Sequence, residues 1–161
     1  MLSGMAAMDT KLQINQRGFT LIELLVALAI LSIVMVMAIP SYKDYKTRSR
    51  ISEGISLVDE VLSKVAEIYM TSGVWPENNG EAGLNEPADF ATTWVSEIVV
   101  EYDADDKSQI RIVYNNATVG GVGLDDDIIF KPILRGGSTV WDCTGGRVAV
   151  YYRPGRCRNS S

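Results

Sequence analysis

From Phe19 to Ile39 the chain runs for 21 residues in which Glu23 is the one charged side chain. As a helix this run measures roughly 32 Å at about 1.5 Å per residue, enough to cross a bilayer core of about 30 Å. The run therefore predicts a membrane-spanning helix, and the same feature sets a problem. An unpaired carboxylate in hydrocarbon costs about 3 kcal/mol on insertion scales. Helical neighbours three and four residues further on are Val26 and Ala27, which offer no cation. Glu23 must be matched by another chain, or by a new charge such as the α-amino group released when the peptide is cut before Phe19.

A secretory signal peptide has a shorter apolar region, about 7–15 residues, ending at a small-x-small cleavage site. Val36-Met37-Ala38-Ile39-Pro40 contains no such site. Instead Gly18-Phe19-Thr20-Leu21-Ile22-Glu23, the apolar run, Pro40, Tyr42 and Tyr45 closely resemble the type IV pilin class III signal and amino-terminal helix. The resemblance extends from Gly18 to about Arg50. It implies that a prepilin peptidase cuts after Gly18 and N-methylates the new terminal Phe19. Residues 1–18 would be a leader, 19–46 a membrane and filament-core helix, and 47–161 a globular head. The partners implied are other copies of the chain, the peptidase, the inner-membrane assembly machinery, and the membrane before assembly. Glu23 would set axial register against the amine of a neighbouring Phe19.

On this resemblance the precursor sits in a bacterial inner membrane as a single-pass protein with its head in the periplasm, then moves to an extracellular filament. Adhesion, twitching motility and DNA uptake are the uses it suggests. A pseudopilin of type II secretion and a minor DNA-binding uptake pilin are the alternatives, and major and minor pilins stay undistinguished. The positive-inside count points the other way. Lys43, Lys46, Arg48 and Arg50 with Asp44 follow the run, against Lys11 and Arg17 with Asp9 before it. The periplasmic head is preferred because the cysteines need an oxidising compartment and because the resemblance places the peptidase at the cytoplasmic face.

Beyond the apolar run, the 161 residues leave room for one small domain. Without residues 1–18 the chain carries 13 basic and 19 acidic residues, which does not favour nucleic acid as a partner. The charge is segregated: Glu77 to Asp127 has a net of −10, and Phe130 to Arg158 a net of +5. Opposite patches of this kind suit head-to-tail contacts between copies. With no histidine, no Cys-His or Ser-His pair and no phosphate-cradling glycine motif, no enzyme activity and no cofactor are expected. Two cysteines, Cys143 and Cys157, allow one intramolecular pairing in an exported domain. For such a loop the chain-entropy estimate of stabilisation is about 3 kcal/mol.

The helix should continue past Pro40, because Ile51, Ile55, Val58, Leu62, Val65 and Tyr69 recur at steps of four and three. Gly73 is the expected C-cap. A helix from Phe19 to about Ser72 would measure about 80 Å if straight. Pro40 lacks a helix-bonding N–H, so a kink or loosening is expected upstream, helped by Ser32. Ser32 stands where related chains often have glycine, in a segment whose melting on assembly the resemblance suggests. A loop of about twenty residues, Val74 to Thr93, precedes four strand-like runs: Val95 to Tyr102, Gln109 to Tyr114, Asp127 to Leu134 and Arg147 to Tyr152. Pro132 suggests that the third is an edge strand or a short, bent one. The fold class is α+β: a long amino-terminal helix packed against about four antiparallel strands, closed by a disulfide-bounded carboxyl-terminal loop. This arrangement is similar to the type IVa pilin head.

Several further features carry weaker readings. Asp125-Asp126-Asp127 is read as a solvated acidic turn rather than a calcium site, so no metal is assigned. Arg147, Arg153, Arg156 and Arg158 beside Tyr151 and Tyr152 are assigned a structural role in preference to a DNA-contacting one. Asn116-Ala117-Thr118 and the terminal Ser161 are potential glycan sites, and Met5 or Met8 are alternative starts to Met1.

Overall fold

The computed structural model describes residues 18–158 apart from 106, 120, 121, 124 and 125, and without the side chains of 117 and 118. The leader, the alternative starts, Asp125, the Thr118 hydroxyl and Ser161 therefore lie outside the described residues. The chain divides into two units after Ala38.

Helix α1 spans Leu21–Ser72, and its assignment runs unbroken through Pro40. In the first unit its side chains are apolar and exposed on every face, as a helix without a protein core must be. It is the one helix, among the described residues, long and apolar enough to cross a membrane. Ser32 Oγ donates to the Leu28 carbonyl at 2.7 Å, the back-bonding geometry that lets a helix keep a serine in apolar surroundings.

In the second unit the expected stripe is the buried face. Ile51, Ile55, Val58, Leu62 and Val65 join one core with the sheet, and Tyr69 packs against it. Gly73 ends the helix at φ 75°, its N–H donating to the Tyr69 carbonyl at 2.8 Å. Four antiparallel strands form a meander in the order β1-β2-β3-β4: β1 Val95–Tyr102, β2 Ser108–Tyr114, β3 Asp127–Arg135 and β4 Ser138–Gly145. Alternation places one row of each strand inward, and the register aligns those rows as Ile98–Ile112–Ile128 and Val100–Ile110–Phe130. Each such isoleucine contributes about 1.5–3 kcal/mol on burial. The helix approaches the sheet closely at Gly54, where an added Cβ would lie 2.7 Å from the Tyr114 ring. That ring is buried and its hydroxyl donates to the Ile51 carbonyl at 2.8 Å.

Two expectations need correction. Arg147 to Tyr152 is not a strand; the fourth strand is Ser138–Gly145, and Val150–Tyr152 is a 3-10 turn. Gly136 and Gly137, at φ 55° and 83°, supply the two positive-φ positions of a tight hairpin that pairs Arg135 with Ser138. Nor is β3 an edge strand. It lies between β2 and β4, but its pairing with β2 covers only Asp127 to Phe130, so Pro132 sits where one side of β3 is unpaired. The missing N–H of Pro132 is tolerated there.

The long segment before β1 is anchored at Asn79. Its buried amide donates to the carbonyls of Ile98 at 3.0 Å and Asn85 at 3.1 Å, and its carbonyl accepts from Val100 N at 2.7 Å. One side chain thus continues the ladder of edge strand β1. Asn79→Ala is expected to cost about 2–3 kcal/mol by orphaning those groups. Faster hydrogen exchange at the Val100 amide checks it, and unchanged protection would contradict it.

Candidate assembly site

At the start of α1, Thr20 N and Thr20 Oγ both donate to Glu23 Oε2, at 2.9 and 2.7 Å, and Glu23 N reaches Thr20 Oγ at 3.4 Å. This reciprocal pair is a capping box, and it closes two of the orphan donors at the helix start. The partner of Glu23 within the chain is thus an uncharged neighbour, where the sequence reading considered cations alone. Its signal was present as Thr20-x-x-Glu23 ahead of an apolar run. Glu23 is also the one polar group in a shallow groove of about 410 Å³ lined by Phe19, Ile22, Val26, Ala27 and Ile30. Phe19 is 78% exposed, and Gly18 is exposed too; a Cβ added to Gly18 would meet nothing within 4 Å. An apolar helix bare on all sides needs lipid or copies of itself for cover.

The carboxyl-terminal loop is closed twice. Cys143 on β4 and Cys157 form the disulfide, with Cα atoms 4.8 Å apart. Inside it the Arg153 side chain, 3% exposed, donates to the carbonyls of Val148 at 2.8 Å, Gly146 at 2.7 Å and Thr144. Burial lowers the Arg153 pKa from its ordinary value, and Asp127 opposes that shift. Gly146, at φ 101°, lets the turn pass directly over the Asp127 carbonyl, which accepts the N–H groups of Arg147 and Val148 at 3.0 Å each. With the Arg147 and Val148 N–H groups and the Val148 carbonyl committed in this way, the start of the segment Arg147 to Tyr152 is not available for strand pairing.

The four arginines do not make one exposed patch. Arg153 points inward, Arg147 pairs with buried Asp127 at 3.3 Å, Arg156 pairs with Asp59 at 3.2 Å, and Arg158 donates to the Arg153 carbonyl at 2.8 Å. Of the acidic triplet, Asp127 is held by Arg147 and Asp126 accepts from Gly123 N at 2.6 Å. Tyr151 and Tyr152 turn to the helix, where both hydroxyls donate to Asp44, at 3.2 and 3.4 Å. Burial raises the Tyr152 pKa, and the Asp44 charge adds to the rise.

Arg153→Met removes the donor to three carbonyls, of which the Val148 carbonyl is in a buried hydrogen bond, and is expected to cost about 3 kcal/mol, comparable to the disulfide. The melting temperature of the detergent-solubilised chain should fall by roughly 10 °C. Combined with Cys157→Ser the effect should be non-additive, because both groups close one loop. An unshifted melt for Arg153→Met would refute this role.

An exposed apolar helix with a capped carboxylate at its start precedes a helix-on-sheet head whose end is closed by a disulfide. Residues 14–39 match the prokaryotic N-terminal methylation motif, and residues 47–158 match the pilin family of bacterial filament proteins. The chain is 45% identical over 134 residues to a type IV major pilin protein, PilE1, of Neisseria gonorrhoeae, covering 80% of this chain and 69% of that one. It is 33% identical over 146 residues to the fimbrial protein EcpC of Eikenella corrodens, covering 91% and 93%. With the type IV major fimbrial protein FimA of Dichelobacter nodosus it shares 34% identity over 113 residues, 65% and 71% of the two chains. The chain belongs to the pilin family and is a structural pilus subunit.

Proposed function

We propose that this pilin is the main structural subunit of a type IV pilus, exported with its head toward the periplasm and cut after Gly18. Once Phe19 carries a free amine, the Glu23 carboxylate of an adjacent copy can pair with it. The observation that carries this reading is the groove around Glu23: a carboxylate already oriented by Thr20, at the open face of an exposed apolar helix. Two hydrogen bonds from Thr20 to Oε2 leave Oε1 for an amine. Helix packing over the apolar run would supply cohesion, and the ion pair would set axial register, the use for which buried charges are best attested.

Gly18 supports processing from a different direction. Its added Cβ meets nothing among the described residues, so a requirement for glycine would come from an enzyme pocket. The work of such a subunit is mechanical and adhesive rather than catalytic. Pro40 is retained as the place where the helix would loosen during assembly. The reading is tested by deleting the chain and viewing cells by electron microscopy. Surface filaments should vanish and return when the chain is resupplied; filaments that persist without it would overturn the assignment as main subunit.

A further inference from the structure

The export orientation leaves one sequence observation unexplained: the excess of cations after the apolar run. Lys43, Lys46 and Arg50, spaced three and four residues apart, share one face of α1. They line a cleft of about 360 Å³ together with Thr47, Asp44 and Tyr152. A second cleft of about 330 Å³, bordered by Tyr42, Tyr45 and Trp94, shares Lys46 and Arg50 with the first. Arg50 is held in place by the Val119 carbonyl at 2.6 Å and by the Trp94 ring, 4.3 Å from its guanidinium. Asp44, the carboxylate at the first cleft, is engaged by the hydroxyls of Tyr151 and Tyr152. Among the described residues, neither Lys43 nor Lys46 has a carboxylate within 4.0 Å.

We propose that this cleft holds the phosphate of an anionic phospholipid headgroup while the subunit is in the membrane. Three features favour lipid as the occupant. Lys43 and Lys46 follow Ile39 by four and seven residues, about 6 and 10 Å along a helix, which puts the first within a headgroup layer of about 5–8 Å per leaflet and the second just beyond it, where a long side chain reaches back. Tyr42 and Tyr45, 61% and 69% exposed, alternate with the lysines as an interfacial aromatic belt does. The Lys46 ammonium lies 5.5 Å from the Tyr42 ring centre, so cation and ring present one amphipathic surface. The cations then serve as a lipid-binding collar on the side to which the head is exported. This inference rests on the membrane-spanning reading of Phe19 to Ile39 and on the periplasmic head proposed above.

The full chain is placed in nanodiscs of equimolar phosphatidylglycerol and phosphatidylcholine with matched acyl chains, and native mass spectrometry reads the ratio of the two lipids retained. Wild type should favour phosphatidylglycerol roughly 25-fold, about fivefold for each of the two lysines. The preference should fall about fivefold for each of Lys43→Gln and Lys46→Gln, reaching parity in the double variant. Lys107→Gln, an exposed lysine before β2, should retain it. Raising salt from 0.1 to 1 M shortens the screening length from about 10 to about 3 Å and should weaken the preference in wild type. Equal retention of both lipids by wild type, or a preference that survives the double substitution, overturns the proposal. So does release of the lipid by millimolar inorganic phosphate, which would mark a site for soluble anions. Loss of filaments from the double variant with wild-type lipid ratios would assign the lysines to a neighbouring subunit instead. The lipid ratio does not depend on filament formation, so failure here is distinguishable from failure of the pilus assignment, which the deletion experiment reads.

Discussion

Gly18→Val should leave the chain at full length in the membrane, 18 residues longer than the processed form. The fold does not need glycine at this position, since an added side chain meets nothing within 4 Å. The effect is therefore assigned to the peptidase, whose pocket would have to admit a branched residue beside the bond it cuts. Filaments should be absent as a consequence, because an uncut chain has no α-amine at Phe19. A mature-length product at normal yield from Gly18→Val would remove this cleavage site.

The second large effect is expected at Glu23, where two substitutions separate two roles. Glu23→Ala removes both the charge and the hydrogen bonds with Thr20. Glu23→Gln keeps an acceptor for the capping box but carries no charge. Removing one partner of a desolvated charge pair costs about 2–5 kcal/mol, which is more than tenfold in an equilibrium constant. Both variants should be processed and stable in the membrane, and both should yield at least tenfold fewer filaments. If Glu23→Gln assembles normally and Glu23→Ala does not, the carboxylate matters for the helix start rather than for register.

The legible parts of this fold are those with a period or a length. Ile51 to Tyr69 announced the buried helix face by spacing, and the 21-residue run announced the exposed one by length. Val95 to Tyr102 and Asp127 to Leu134 are visible because apolar residues, most of them β-branched, dominate them. The fourth strand was misplaced because Val148, Val150 and Tyr152 alternate as a strand would, while in the true β4 Asp142 interrupts the apolar residues Val140, Trp141 and Cys143, with Ser, Thr and Gly at its ends. Gly136-Gly137 was the overlooked signal, since a two-residue glycine turn after a strand predicts its hairpin partner. Long-range polar anchors left no such trace. Asn79 bonding to β1, and Arg153 turned inward on three carbonyls, depend on backbone groups that only the folded chain brings together. The structural role expected of the basic run fits Arg153, but nothing in the sequence singles it out as the one of the four arginines that is buried.

The central claim is that this pilin is cut before Phe19 and polymerised through the helix that begins there. Mass spectrometry of surface fibres sheared from cells tests it most directly. The account predicts that this chain dominates the fibres, that its first residue is N-methylated Phe19, and that Cys143 and Cys157 are recovered in one linked peptide. Fibres in which the chain is absent, or in which it retains Gly18 at its amino terminus, would contradict it.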